Sequence, residues 1–125
     1  MSTRQTILIV EDDEDLRRLF RTALVLAGYG VIEAGNGLEA LQRIDQLRPD
    51  LVVLDLLLPG VSGFVVHQDI AAQAVTREIP VVVITGSTVD ASELNVACFL
   101  RKPVSPDRLV EAVRACLAEG AGPVT

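Results

Sequence analysis

The sequence predicts an α/β domain whose five strands form one doubly wound parallel sheet. Short runs of β-branched and aliphatic residues alternate with helical patterns along the whole chain, the element order of such sheets. The runs Leu51, Val52, Val53, Leu54 and Val81, Val82, Val83, Ile84 are apolar without a break, as strands buried on both faces must be. At 125 residues, half of them hydrophobic and only 3% aromatic, the chain has the size and filling of one domain packed by Val, Leu, Ile and Ala.

The first strand is Ile7, Leu8, Ile9 and Val10. The helix after it carries Leu16, Leu19, Phe20, Ala23, Leu24 and Ala27 on one stripe. Gly28 ends it, because glycine accepts the left-handed conformation a helix end needs. Val31 and Ile32 make a weaker second strand, and the next helix sets Leu38, Leu41, Ile44 and Leu47 on one side before stopping ahead of Pro49. The third strand, 51–54, leads to a helix over 63–74, and the fourth strand, 81–84, to a short segment over 91–97. The fifth strand lies near 98–101. The last helix opens with Ser105 as N-cap, Pro106 in first position and Asp107 just inside, and its inward stripe is Leu109, Val110, Val113 and Leu117.

The formal net charge of −6 disfavours direct nucleic-acid binding, which draws its affinity from Lys and Arg on phosphates. Cys98 and Cys116, the only cysteines, have no metal-ligand spacing and read as buried or half-buried small hydrophobes in a reducing compartment. Residues 1–5 lack a leader's apolar stretch, and no apolar run is long enough to span a bilayer. A cytoplasmic protein with no membrane partner is expected. Met1 gives the expectation that nothing precedes the domain. Residues 1–119 are expected to form it, with 120–125 a flexible tail or the start of a linker.

In an open α/β sheet, ligands bind outside the carboxyl ends of the strands, where strand order reverses. After the first strand come Glu11 and Asp12, heading five consecutive acids; after the third, Asp55; after the fourth, Thr85; after the fifth, Lys102 and Pro103. Glu33, at the end of the second, is left outside the site. With the order 2-1-3-4-5, strands one and three are neighbours, and Glu11, Asp12 and Asp55 converge on one crevice. Three carboxylates so close repel one another unless a cation lies among them. An all-oxygen set without His or Cys favours a hard ion, and a small open site suits Mg²⁺ better than Ca²⁺. Asp13, Glu14 and Asp15 are explained by capping and the helix dipole alone. Asp55 is not: it follows a buried strand and has no helix to cap. A nucleophile, a metal site, a hydroxyl and an ammonium on one rim meet the needs of phosphoryl transfer.

With these residues in place the chain resembles the response-regulator receiver domains of two-component signalling, of the chemotaxis-regulator type, over nearly its whole length. The resemblance is carried by Ile7-Leu8-Ile9-Val10-Glu11-Asp12, by Leu54-Asp55-Leu56-Leu57-Leu58-Pro59 with Gly63 behind it, by Ile79-Pro80 leading to Ile84-Thr85-Gly86, and by Phe99-Leu100-Arg101-Lys102-Pro103. It implies a flavodoxin-like sheet and a phosphoprotein in which Asp55 takes a phosphoryl group from a phosphohistidine on a sensor histidine kinase or phosphotransfer protein. Asp12 and Asp55 would ligate Mg²⁺ directly with the backbone carbonyl of Leu57, and Glu11, where many members carry Asp, would act through water. Thr85 and Lys102 would contact the phosphoryl oxygens, and the Lys102–Pro103 peptide would be cis. Phe99 would be the switch aromatic that turns inward when Thr85 is drawn to the phosphoryl group. The residues that help place the hydrolytic water in this family correspond here to Leu57 and Ser87. His67 matches no family site and reads as a solvated helix residue.

The chain departs from the family between Thr85 and Lys102, where it is about one helical turn short and lacks the usual small-residue and acidic segment before the aromatic. Residues 86–97 barely reach the dozen that a parallel crossover requires, so the fourth helix is expected to be short or irregular. Asp90 is a plausible N-cap with Glu93 three residues on. A truncated fourth helix leaves no surface for a symmetric dimer through it, and a monomer is expected. The protein is then not an enzyme beyond catalysing its own phosphorylation and slow dephosphorylation. It acts either as a regulator of a downstream target or as a single-domain phosphorelay intermediate. Remote alternatives are an aspartate-nucleophile phosphatase, whose second Asp and Thr are missing after the first strand, and a flavin carrier, which five acids in the first loop and the lack of Trp oppose.

Overall fold

The computed structural model describes residues 4–86, 88 and 94–120. Five strands, β1 (Thr6–Val10), β2 (Gly30–Ala34), β3 (Leu51–Leu54), β4 (Val81–Thr85) and β5 (Cys98–Arg101), form one parallel sheet in the order β2-β1-β3-β4-β5. The four described helices are α1 (Glu14–Leu26), α2 (Gly37–Leu47), α3 (Gly63–Ala72) and α4 (Pro106–Gly120). The α/β class and the strand order are those expected. α3 stops at Ala72, short of 74, and β2 is longer than its two aliphatic residues suggested.

Strand alternation divides the interior into two cores. Ile7 and Ile9 of β1, Leu51 and Val53 of β3, and Val82 and Ile84 of β4 face α1 and α4, where they meet Phe20, Leu24, Leu109 and Val113. The residues between them, Leu8, Val10, Val52, Leu54, Val81 and Val83, face α2 and α3 and meet Ala40, Ile44, Val66 and Ile70. Burial on both faces explains the unbroken apolar runs.

Local signals set the helix ends. Asp13, Asn36, Ser62 and Ser105 accept hydrogen bonds at their helix starts, from the backbone N–H of Leu16, Glu39, Val65 and Arg108 respectively. Gly28, at φ +104°, follows α1 as expected. Two apolar stripes need correction. Leu19 on α1 is half exposed, as are Leu38 and Leu47 on α2. Each sits beside the inward face, which Phe20 and Leu24, and Gly37, Ala40 and Ile44, occupy. Cys116 is buried and Cys98 half-buried, both as free thiols.

Leu94 to Ala97 form no helix, while Leu94 and Val96 pack, half-buried, on the core beneath α2 and α3. The rest of the expected short fourth helix, with Asp90 and Glu93, lies outside the described residues, as does the expected tail beyond Gly120. No helix among the described residues is long and apolar enough to cross a membrane.

Candidate functional site

The carboxyl ends of β1, β3, β4 and β5 bring most of the expected residues together. Val10 pairs with Leu54, so Glu11 and Asp55 leave neighbouring strands at the same level, and the N–H of Asp55 donates to the Val10 carbonyl at 3.1 Å. Carboxylate oxygens of Glu11, Asp12 and Asp55 lie within 4.8 Å of one another. Glu11 and Asp55 are buried, whereas Asp12 is exposed and opens the cluster to solvent.

Two buried carboxylates side by side need compensation, and Lys102 supplies it. Its Nζ lies 2.6 Å from Glu11 Oε1 and 2.8 Å from Asp55 Oδ2. The other oxygen of each acid is held from the backbone: Asp55 Oδ1 accepts from the N–H of Leu57 at 3.0 Å, and Glu11 Oε2 from that of Asp13 at 3.2 Å. Burial pushes the Glu11 carboxyl above its ordinary value and the Asp55 charge adds to this, while hydrogen bonds from Lys102 and Asp13 pull it back. Burial would lower the Lys102 ammonium, but its hydrogen bonds to Asp55 and Glu11 outweigh it and hold the group above its usual value. No described buried side-chain polar atom lacks a hydrogen-bond partner, so the acids are buried in a satisfied network.

Thr85 ends β4 fully buried, and its carbonyl accepts the N–H of Lys102 at 3.0 Å, which ties β4 to the Lys102–Pro103 bond, here cis. Val83 pairs with Phe99 and Thr85 with Arg101, so Thr85 and Phe99 face the same side of the sheet. The Phe99 ring is half-buried against the core of α2 and α3, and the Arg101 guanidinium sits 5.0 Å from its centroid. Leu57 exposes about half of its side chain at the rim, 56%. Ser87 lies outside the described residues.

One residue stands differently from expectation, and one left outside the site makes a contact that bears on it. His67 is half-buried, and its Nε2 lies 3.0 Å from the Asn95 carbonyl, so it joins α3 to the chain entering β5. Solvation alone does not describe it; helical periodicity could not show that a loop 28 residues away returns to cover this position. Glu33, left outside, is engaged by Arg17 of α1, whose Nε lies 3.1 Å from Oε1 and whose Nη1 donates to the Glu11 carbonyl at 2.8 Å. No sequence signal separates Arg17 from Arg18 and Arg21 on the same helix.

The arrangement sets a buried carboxylate, chemically able to act as a nucleophile, beside an acidic cluster open to solvent, with a primary ammonium in reach. Comparison with known proteins agrees in kind. The family model for the response regulator receiver domain matches residues 7–114. The chain is 33% identical over 120 residues to the polar-differentiation response regulator DivK of Brucella anthropi, covering 92% of this chain and 98% of that one. It is 34% identical over 118 residues to the phosphate regulon transcriptional regulatory protein PhoB of Pseudomonas aeruginosa, covering 90% of this chain but 52% of that one. The solved structure of the chemotaxis response regulator CheY4 of Vibrio cholerae superposes with a TM-score of 0.84 at 25% identity, over 91% of this chain and 99% of that one.

Proposed function

The chain belongs to the response regulator receiver family and is a phosphoryl-accepting signalling domain, and from that premise we propose that Asp55 is the acceptor and Lys102, Thr85 and Phe99 its working partners. The observation that carries this is the Asp55 carboxylate, buried at a strand end, fixed by Lys102 and the Leu57 N–H, and next to Glu11 and Asp12. An Asp55 oxygen attacks the phosphorus of a phosphohistidine on a sensor kinase or phosphotransfer protein. The P–O bond forms as the P–N bond breaks, and the departing imidazole nitrogen keeps the bond pair. Lys102 and Thr85 take the phosphoryl oxygens, and Phe99, on the same sheet face as Thr85, follows its movement. The test is incubation with Mg²⁺ and a small phosphodonor: intact mass increases by one phosphoryl group, and an unlabelled wild type sinks the reading. The flavin and phosphatase alternatives are not favoured.

Glu11, Asp12, Asp55 and the Leu57 carbonyl are proposed to hold Mg²⁺. Their donors are all oxygen, the three carboxylates converge, and the pocket already attracts a cation, Lys102. When bound, the ion offsets the charge of the phosphoryl oxygens and the acceptor. It also relieves repulsion in the folded state alone, so Mg²⁺ at about 100 times its dissociation constant adds roughly 2.7 kcal/mol to stability. The thermal midpoint of the wild type is expected to rise with Mg²⁺ and that of Asp12→Ala hardly to move. An equal rise in both removes Asp12 from the site.

Phosphoryl lifetime depends on a water held in line with phosphorus, and the exposed Leu57 side chain offers it no hydrogen bond. Leu57→Asn is expected to shorten the lifetime about fivefold, the rate equivalent of one hydrogen bond worth near 1 kcal/mol. Unchanged decay in that variant removes the account. The receiver unit is taken as residues 1–119, acting as a cytoplasmic monomer that catalyses only its own phosphorylation and slow dephosphorylation. The chain spans nearly all of DivK and about half of PhoB, so both a stand-alone relay module and the receiver of a longer regulator have a counterpart among its relatives.

A further inference from the structure

Glu33 and Arg17 lie outside the set that meets the phosphoryl group, yet they bear on it through the backbone. Resting on the Mg²⁺-dependent reading above, we infer that Arg17 and Glu33 are a positioning pair that holds the Glu11–Asp12 peptide in the conformation that cation binding needs. The Arg17 guanidinium makes two contacts at once: Nη1 to the Glu11 carbonyl at 2.8 Å and Nε to Glu33 Oε1 at 3.1 Å. Its side chain is only 19% exposed. The guanidinium packs against the turn at Gly35, where a Cβ would stand in van der Waals contact with Nη1 at 3.4 Å. Glu33 is anchored in turn by its strand, where it pairs with Ile9 of β1.

The mechanical consequence follows from peptide planarity. The carbonyl of Glu11 and the N–H of Asp12 share one rigid plane. Fixing that carbonyl therefore fixes the direction in which Asp12 leaves β1. Glu11 has further anchors of its own, Lys102 on its side chain and the Ala34 carbonyl on its N–H. Asp12 is exposed, and no described hydrogen bond holds its carboxylate. Its aim into the cluster thus depends on the peptide before it, and Arg17 is the side chain that grips that peptide. Arg21 reaches Glu33 only at 3.7 Å, while the described side-chain hydrogen bond to the Glu11 carbonyl comes from Arg17, which makes Arg21 the natural control.

Charge and positioning predict opposite signs. Arg17 is a cation close to a cation site, so by Coulomb repulsion alone its removal would tighten Mg²⁺ binding. Loss of positioning weakens it, typically by tenfold or more where a residue orients a metal ligand. The experiment is calorimetric titration of the full chain with Mg²⁺, together with the rate of phosphoryl uptake at saturating Mg²⁺. Arg17→Ala is expected to raise the Mg²⁺ Kd about tenfold while leaving uptake at saturation within about twofold of wild type. Arg17→Lys falls between, because one ammonium does not reproduce the two-pronged grip of a guanidinium. Glu33→Gln weakens binding in the same direction, but the loss of its negative charge alone would also do so, so Arg17→Lys, which keeps the charge and loses the two-pronged grip, decides the matter if Arg17→Ala does not fold. Arg21→Ala binds as the wild type does or slightly tighter. Unchanged or tighter binding in Arg17→Ala and Glu33→Gln overturns the inference, and so does an equal loss in Arg21→Ala. A wild type that binds no Mg²⁺ overturns the metal reading itself.

Discussion

Asp55→Asn is expected to abolish phosphoryl uptake while leaving the domain folded, an all-or-none loss at a single side chain. An amide oxygen is neutral and its nitrogen's lone pair is delocalised, so neither atom attacks phosphorus as a carboxylate oxygen does. The replacement keeps the volume of a group that is only 4% exposed, so no cavity forms. The amide oxygen can still accept from the Leu57 N–H; the amide nitrogen then faces Lys102 donor to donor, so the ammonium turns to Glu11, its partner at 2.6 Å, and no buried charge is orphaned. One carboxylate fewer also lessens repulsion with Glu11, and the stability change should fall within about 1 kcal/mol, the range of modest substitutions. Intact mass after treatment with Mg²⁺ and a small phosphodonor, alongside a melting curve, tests both halves. Labelling of the Asn variant to the wild-type extent moves the acceptor to another residue, with Asp12 the nearest exposed carboxylate. Loss of the fold would refute the stability half of the expectation.

The strands and the rim were legible because buried parallel strands are written as apolar runs and the residue after each run is a local fact. Glu11, Asp12, Asp55, Thr85 and Lys102 could be placed at one edge by topology alone, before any distance was known. Other features depend on which face of an element finds a partner, and sequence does not record that directly. Leu19, Leu38 and Leu47 share the periodicity of core residues yet sit on the flanks of their helices. His67 looked solvated because its partner, the Asn95 carbonyl, arrives from a distant loop. The contact of Glu33 with Arg17 exists only once β2 lies against β1 and α1 folds over both, so the sequence alone leaves Glu33 outside the site. Among three arginines on one helix, only the three-dimensional register chooses.

Gly63→Ala is expected to destabilise the domain and slow phosphoryl uptake together, because the space this glycine leaves empty belongs to the backbone of Asp55, the proposed acceptor. A Cβ on Gly63 would stand 2.2 Å from the Asp55 carbonyl oxygen and 2.6 Å from the Leu56 Cα. Both are main-chain atoms at the end of a buried strand, so they cannot swing aside as a flexible side chain would. The close approach has a cause: the N–H of Gly63 donates to the Leu56 carbonyl at 3.1 Å, which draws the first turn of α3 onto the loop that carries Asp55. Alanine has an intrinsic advantage in a helix of about 1 kcal/mol over glycine. Against it stands the strain of forcing backbone apart in a packed interior, about 3 kcal/mol at the upper end of the usual range. The clash wins, and a net loss near 2 kcal/mol lowers the thermal midpoint by roughly 8 °C in a domain of this size. Relief of the clash pushes the Asp55 peptide away from α3, so the carboxylate shifts relative to Lys102 and Glu11, and uptake slows even at temperatures where the variant is fully folded. Gly86→Ala is the matching control: a Cβ there meets nothing within 4 Å, and its effect on stability should stay within about 0.5 kcal/mol. Melting curves and uptake rates for the two variants decide it, and a Gly63→Ala protein as stable and as reactive as the wild type would mean that the helix start can retreat from Asp55 at no cost.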